Sequence, residues 1–138
     1  MSIATMTQEN ATIGSLVWFE IPADNLDRAK KFYNALFGWK IAPFASMQGP
    51  EAQKYQHIDT GGADTSPDGG LMTRRQPEER ITQYVSVASV AESAARVEKL
   101  GGRIRTARTA VPQMGYFAVC QDTENNTFGL WETDPNAA

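Results

Sequence analysis

Glu20 stands two residues beyond Trp18 in the run LVWFEIP, a carboxylate inside an otherwise apolar stretch. Burying a carboxylate is costly unless a donor meets it. Glu20 must therefore find one, such as the Trp131 indole, Tyr84 or an arginine, or else take up a proton. In the second case it could serve as a catalytic general acid or base in chemistry without a metal. The plain alternative is a satisfied structural carboxylate. Otherwise the reactive inventory is short. The one histidine, His57, excludes any site needing two imidazoles from one chain, and a lone strand histidine is ordinarily a hydrogen-bonded wall residue. The one cysteine, Cys120, excludes an internal disulfide, and with no base in view it reads as a small core residue.

The elements that must position these groups follow from pattern. Leu16 to Ile21 is a compact run of β-branched, aromatic and apolar residues that reads as a strand, with Pro22 ending its ladder. Asp24 is the expected helix cap and Asp27 a first-turn charge. Leu26, Ala29, Phe32, Tyr33, Leu36 and Phe37 share one helix face, and Gly38 stops the helix. Such a stripe must cover a sheet, so Val17, Phe19 and Ile21 belong beneath it while Leu16, Trp18 and Glu20 face away.

Strands are expected at Lys40 to Ala45, Tyr55 to Asp59 and Gly70 to Thr73, with a Gly-Pro loop after the first. RQPEER, Arg75 to Arg80, is the linker candidate. The pattern then restarts with a strand over Ile81 to Val87. Ser89 and Glu92 form a capping box ahead of the stripe Val90, Ala94, Val97 and Leu100, closed by Gly101 and Gly102. Strands at Arg103 to Ala107, Tyr116 to Gln121 and Thr127 to Glu132 complete the second copy. The order is β-α-β-β-β twice, with module one over about 13–74, the linker over about 75–80 and module two over about 81–133. This is an α+β fold, two βαβββ modules forming curved sheets around a cleft with the helices outside. Superposing the copies sets Trp18 against Thr82 and Gly70-Leu71 against Gly129-Leu130.

The totals narrow the function. A chain of 138 residues is one domain's worth, and a net charge of −3 without a basic run argues against nucleic acid. The start, MSIATMTQENATIG, is too polar for a signal peptide, and no apolar run is long enough to span a bilayer. A cytoplasmic location is expected, with no membrane partner. Exposed sheet edges favour a homodimer.

Three stretches, FEIPADNLDRAKKFYNALFGW, VASVAESAARVEKLGGRI and GYFAVCQDTENNTFGLWE, resemble the vicinal oxygen chelate superfamily of glyoxalase I, bleomycin-resistance proteins and extradiol dioxygenases. The resemblance runs from about Gly14 to Glu132 and implies the same paired βαβββ architecture. It also implies four metal-ligand positions, which fall on Trp18, near Gly70, Thr82 and Gly129. None of these side chains suits a cation, so no cofactor is expected and a divalent metal is disfavoured.

In place of a metal centre, alternation points Leu16, Trp18, Glu20, Gly70 and Met72 to the inner face of module one, and Thr82, Tyr84, Ser86, Gly129 and Trp131 to that of module two. With His57, these describe an aromatic lining for a flat or partly apolar molecule, with Glu20 as the polar anchor. The glycines would make room for a ligand or for Trp18. The first reading is a small-molecule binder of the glyoxalase/bleomycin-resistance type. Its rivals are a lyase, isomerase or dioxygenase built on Glu20 or a displaced metal, and a structural or interaction module plugged by Trp18.

Overall fold

The computed structural model describes residues 12–44, 49–62 and 66–138. Ala45, included above in the second strand, lies outside them. The chain divides into two compact units, one holding residues 18–81 and the other the described residues up to Val17 together with Thr82–Ala138.

The first unit is built on β1 (Leu16–Ala23) from Trp18 onward, α1 (Leu26–Phe37), β2 (Lys40–Pro43), α2 (Pro50–Lys54), β3 (Tyr55–Asp59) and β4 (Asp68–Thr73). Its strands lie in the order β2-β3-β4-β1, with β1 parallel to β4 and the other pairs antiparallel. Ile21, Ala23, Ile41, Ile58 and Leu71 form the buried core, against which Phe19, Leu26, Ala29, Tyr33 and Trp39 pack. The helix therefore covers the face carrying Phe19 and Ile21, as the alternation requires.

Four local expectations need correction. Pro22 does not end β1, which stays in register with β4 to the pair Ala23–Thr73. The cap of α1 is Asn25, whose side chain accepts from the Arg28 N–H at 2.9 Å, while Asp24 instead receives Arg74 Nε at 2.9 Å. Phe32, Leu36 and Phe37 share the apolar stripe but remain 58, 59 and 56% exposed, because the sheet meets only the Leu26–Ala29–Tyr33 side of the helix. The Gly-Pro stretch is not a simple loop, since Pro50 opens the short helix α2. Gly38 does close α1, in the left-handed conformation (φ 74°) with its N–H on Asn34 O.

The second unit contains β5 (Thr82–Ser86), α3 (Val90–Lys99), β6 (Arg103–Val111), β7 (Gly115–Gln121) and β8 (Thr127–Thr133), ordered β5-β8-β7-β6. Here β5 is parallel to β8. Val90, Ala118, Cys120 and Leu130 form its core. Ser89 caps α3 by accepting from Glu92 N at 3.1 Å, and the Val90 N–H is taken by Glu132 at 2.9 Å. Leu100 is exposed rather than part of the buried stripe. In the parallel pairs, Gly70 of β4 lies opposite Glu20 of β1, and Gly129 of β8 lies opposite Tyr84 of β5.

Those two glycines have a common cause. A Cβ at Gly70 would overlap the Tyr55 ring, and one at Gly129 would overlap the Tyr84 ring. Each strand glycine thus makes room for a neighbouring tyrosine, not for Trp18. Gly129→Ala is expected to lower unfolding stability by about 1–3 kcal/mol, the usual cost of overpacking. Chemical denaturation checks this, and an unchanged midpoint would contradict the packing of Tyr84 on Gly129.

Candidate functional site

Three strands of the first unit place side chains on the sheet face opposite α1. Strand β1 brings Trp18 and Glu20, β3 brings Tyr55 and His57, and β4 brings Asp68, Gly70 and Met72. The registers Trp18↔Asp68 and His57↔Gly70 bring these residues together. Trp18 is fully buried and donates its indole N–H to the Tyr55 hydroxyl at 2.8 Å; Tyr55 in turn donates to Glu20 Oε2 at 2.7 Å. The donor that Glu20 requires is therefore Tyr55, whereas Trp131 Nε1 gives its hydrogen to Thr133 Oγ1 at 3.0 Å.

His57 lies flat on Trp18, with ring centres 6.0 Å apart and planes 9° from parallel. Phe44 stacks on His57 at 5.1 Å, on Tyr55 at 6.0 Å and on Trp18 at 6.2 Å. The four rings form one aromatic wall with a carboxylate at its edge. Behind it, His57 Nε2 is 3.0 Å from Asp68 Oδ2, with the side chains 11 and 0% exposed. Asp68 Oδ1 accepts from both the backbone N–H and the hydroxyl of Thr60, each at 3.1 Å. A carboxylate at Nε2 favours the tautomer protonated there and makes Nδ1 the accepting atom.

Met72 is buried two pairs further along, opposite Tyr55 in the register. Thr82, Tyr84 and Trp131 belong to the second unit and are all buried there, with Tyr84 edge-on to Phe117 at 6.4 Å. The structure thus brings Trp18, Glu20, His57 and Met72 onto one face. It adds Tyr55, Phe44 and Asp68, which sequence reasoning did not select. The signal for Tyr55 was present in its alternation with His57. Asp68 was hidden in the turn-rich segment GGADTSPDGG.

Cys120 is fully enclosed, and burial pushes its thiol up to about 11, so it is protonated and unreactive at neutral pH. Asp122 holds the β7–β8 turn. The N–H groups of Asn126 and then Glu124 keep its carboxyl below the usual range, which fits a turn residue and not a ligand.

The four positions that the superfamily resemblance assigns to a metal do not fit one. Trp18 offers only a donor, already engaged by Tyr55; Gly70 and Gly129 bring no side chain; Thr82 brings a single buried hydroxyl. Among the described residues, no three or more His, Cys, Asp or Glu side chains are grouped so as to hold an ion. The groups on this face hydrogen-bond and stack, through the Tyr55–Glu20 and His57–Asp68 contacts and the parallel rings of Trp18 and His57.

Comparison with known proteins agrees with this scaffold. A family model described as bleomycin resistance protein-like N-terminal matches residues 15–50. A glyoxylase-like domain-containing protein of Didymella fabae is 32% identical over 120 residues, covering 85% of this chain and 92% of that protein. The putative glyoxylase CFP32 of Mycobacterium bovis is 28% identical over 134 residues, and the chain spans 48% of its length. Methylmalonyl-CoA epimerase from Mycobacterium tuberculosis superposes with a TM-score of 0.62 at 14% identity, covering 96% of each chain. The hypothetical protein BH1468 of Bacillus halodurans does so at 0.63 and 14% identity, covering 91% of this chain and 98% of that one. At such identities the structural likeness speaks for the fold alone. With a glyoxylase-like relative matched over most of both chains, this chain belongs to the vicinal oxygen chelate superfamily.

Proposed function

We propose that the chain binds a small, flat, partly apolar molecule without a metal, as sequestering members of the glyoxalase/bleomycin-resistance group do. In this reading two βαβββ modules form the scaffold of a cytoplasmic homodimer, and the ligand lies on the wall of Phe44, Tyr55 and His57. Glu20 meets a ligand N–H or O–H. The observation that carries it is the chain Trp18 → Tyr55 → Glu20, which holds a carboxylate in a fixed place beside stacked rings. Fixing the carboxylate beforehand lowers the ordering cost of binding.

Ligand-detected NMR with a set of flat aromatic amines and phenols tests this. Compounds that bind the native chain are expected to lose about tenfold or more in affinity to Glu20→Ala, since a charge-assisted hydrogen bond is worth about 1.5–3 kcal/mol. Equal binding to both proteins would remove Glu20 from the site.

A second reading, metal-free proton transfer, draws on the His57–Asp68 pair, which orients an imidazole as a base is oriented in many enzymes. A structural neighbour is an epimerase by name. Turnover of a bound compound, lost in His57→Gln while binding persists, would move the assignment to this class.

A further inference from the structure

Away from the aromatic wall, the segment joining β4 to the end of the first unit encloses an open cleft of about 610 Å³ lined by Asp24, Arg74, Arg75, Gln76, Pro77 and Arg80. Three guanidinium groups and one carboxylate therefore line one concavity in a chain whose net charge is −3. We propose that this cleft is a binding site for the phosphate group of a small phosphorylated metabolite.

The arginines are held in place before any ligand arrives. Arg74 donates Nε to Asp24 Oδ1 at 2.9 Å, one terminal N–H to Pro22 O at 3.4 Å and the other nitrogen to Glu79 O, so its plane is anchored on three sides. Its backbone N–H continues the β1–β4 pairing by donating to Ala23 O at 2.9 Å. Arg75 grips one oxygen of Glu79 through Nε at 3.0 Å and a terminal nitrogen at 2.6 Å, while its backbone N–H takes the other oxygen at 2.8 Å. Burial works against the charge on Glu79, but the Arg75 N–H and guanidinium outweigh it and hold the carboxyl below the usual range. Arg80 is pinned through the carbonyls of Pro77 and Glu79 at 3.1 and 3.2 Å.

Glu79 is thus the strut of the loop, and Pro77 reduces the freedom the loop has to lose. A guanidinium carries five donors, of which Arg74 commits three to these bonds. Planar forks of this kind match the oxygens of a phosphate two at a time, which ammonium groups cannot do. The cleft volume lies within the range of ordinary small-ligand sites, roughly 300–1,000 Å³. This site is independent of the ligand proposed at the aromatic wall, since it shares no residue with it.

Isothermal titration of the full chain with inorganic pyrophosphate, against sodium chloride at matched ionic strength, tests the proposal. The expected result is saturable binding of one pyrophosphate per chain, weakened about tenfold by Arg80→Gln and less by Arg80→Lys, which keeps the charge but loses the fork. Asp24→Asn, which removes the one lining carboxylate, is expected to tighten binding about threefold. Thermal melts of each variant confirm folding. No saturable heat, or affinity that none of these substitutions alters, would overturn the proposal. So would binding of a single-stranded oligonucleotide where pyrophosphate fails, because that would make the cleft a nucleic-acid contact.

Discussion

Asp68→Ala is expected to lower the unfolding free energy by about 3–5 kcal/mol, the cost of removing one partner from a buried hydrogen-bonded pair. Asp68 is fully enclosed and serves three donors: the Thr60 N–H, the Thr60 hydroxyl and His57 Nε2. Alanine leaves all three without their acceptor, and the two Thr60 bonds also tie the end of β3 to the start of β4. Since small domains have total stabilities of about 5–15 kcal/mol, the loss takes away a large share and should lower Tm by about 10 °C or more. Asp68→Asn should cost clearly less. Its carbonyl still serves Thr60, and its amide can donate to His57 once the imidazole takes the other tautomer. Urea denaturation of both variants checks the order, and equal costs would mean that His57 and Thr60 do not depend on this carboxylate.

Trp18→Ala should be comparably destabilising, by about 3–5 kcal/mol, because it empties a fully enclosed indole site. The loss combines three effects. The hole itself dominates, the stacking on His57 and Phe44 adds about 0.5–1.5 kcal/mol per ring pair, and Tyr55 loses the N–H that its hydroxyl accepts. Tyr55→Phe removes the hydroxyl alone and is the control, expected to cost about 1–2 kcal/mol. Indole added to Trp18→Ala should restore part of the lost Tm, as apolar cavities take up matching aromatics. Rescue by indole with no other ligand found would favour the reading in which Trp18 is a plug. A loss below about 1 kcal/mol would contradict the packing described here.

Much of the fold could be read from local pattern because the pattern was redundant. The face of β1, the glycine stop of α1, the Ser89 cap and the strand Tyr55–Asp59 each rest on a few adjacent residues and one rule. What was missed depended on partners far away in sequence. Asp24 and Asn25 are both able caps, and the choice between them is set by Arg74, which claims Asp24 from 50 residues away. Asp68 sits among glycines, serines and prolines that favour turns, and becomes a strand residue because it pairs with Trp18. The apolar stripe of α1 overstated burial, since hydrophobic spacing says which side of a helix faces a sheet but not how far the sheet extends.

The candidate site divides the same way. Glu20 was recognisable as a residue in need of a donor, since a carboxylate amid apolar neighbours announces the problem. The identity of that donor was not, because Tyr55 reaches Glu20 only through the β1–β4–β3 order. The strand glycines were recognised as sites of close approach, but the approaching groups are Tyr55 and Tyr84. Tyr84 stands directly opposite Gly129 in the β5–β8 register, whereas Tyr55 reaches Gly70 from the neighbouring antiparallel strand β3, where its own register partner is Met72.

The proposal of a metal-free binder is tested most directly by calorimetric titration of one aromatic amine or phenol from the NMR set into chelator-dialysed protein, repeated after adding zinc, nickel or manganese. The account predicts one bound molecule per chain with the same Kd in every buffer. Binding that appears only once the metal is restored would contradict it.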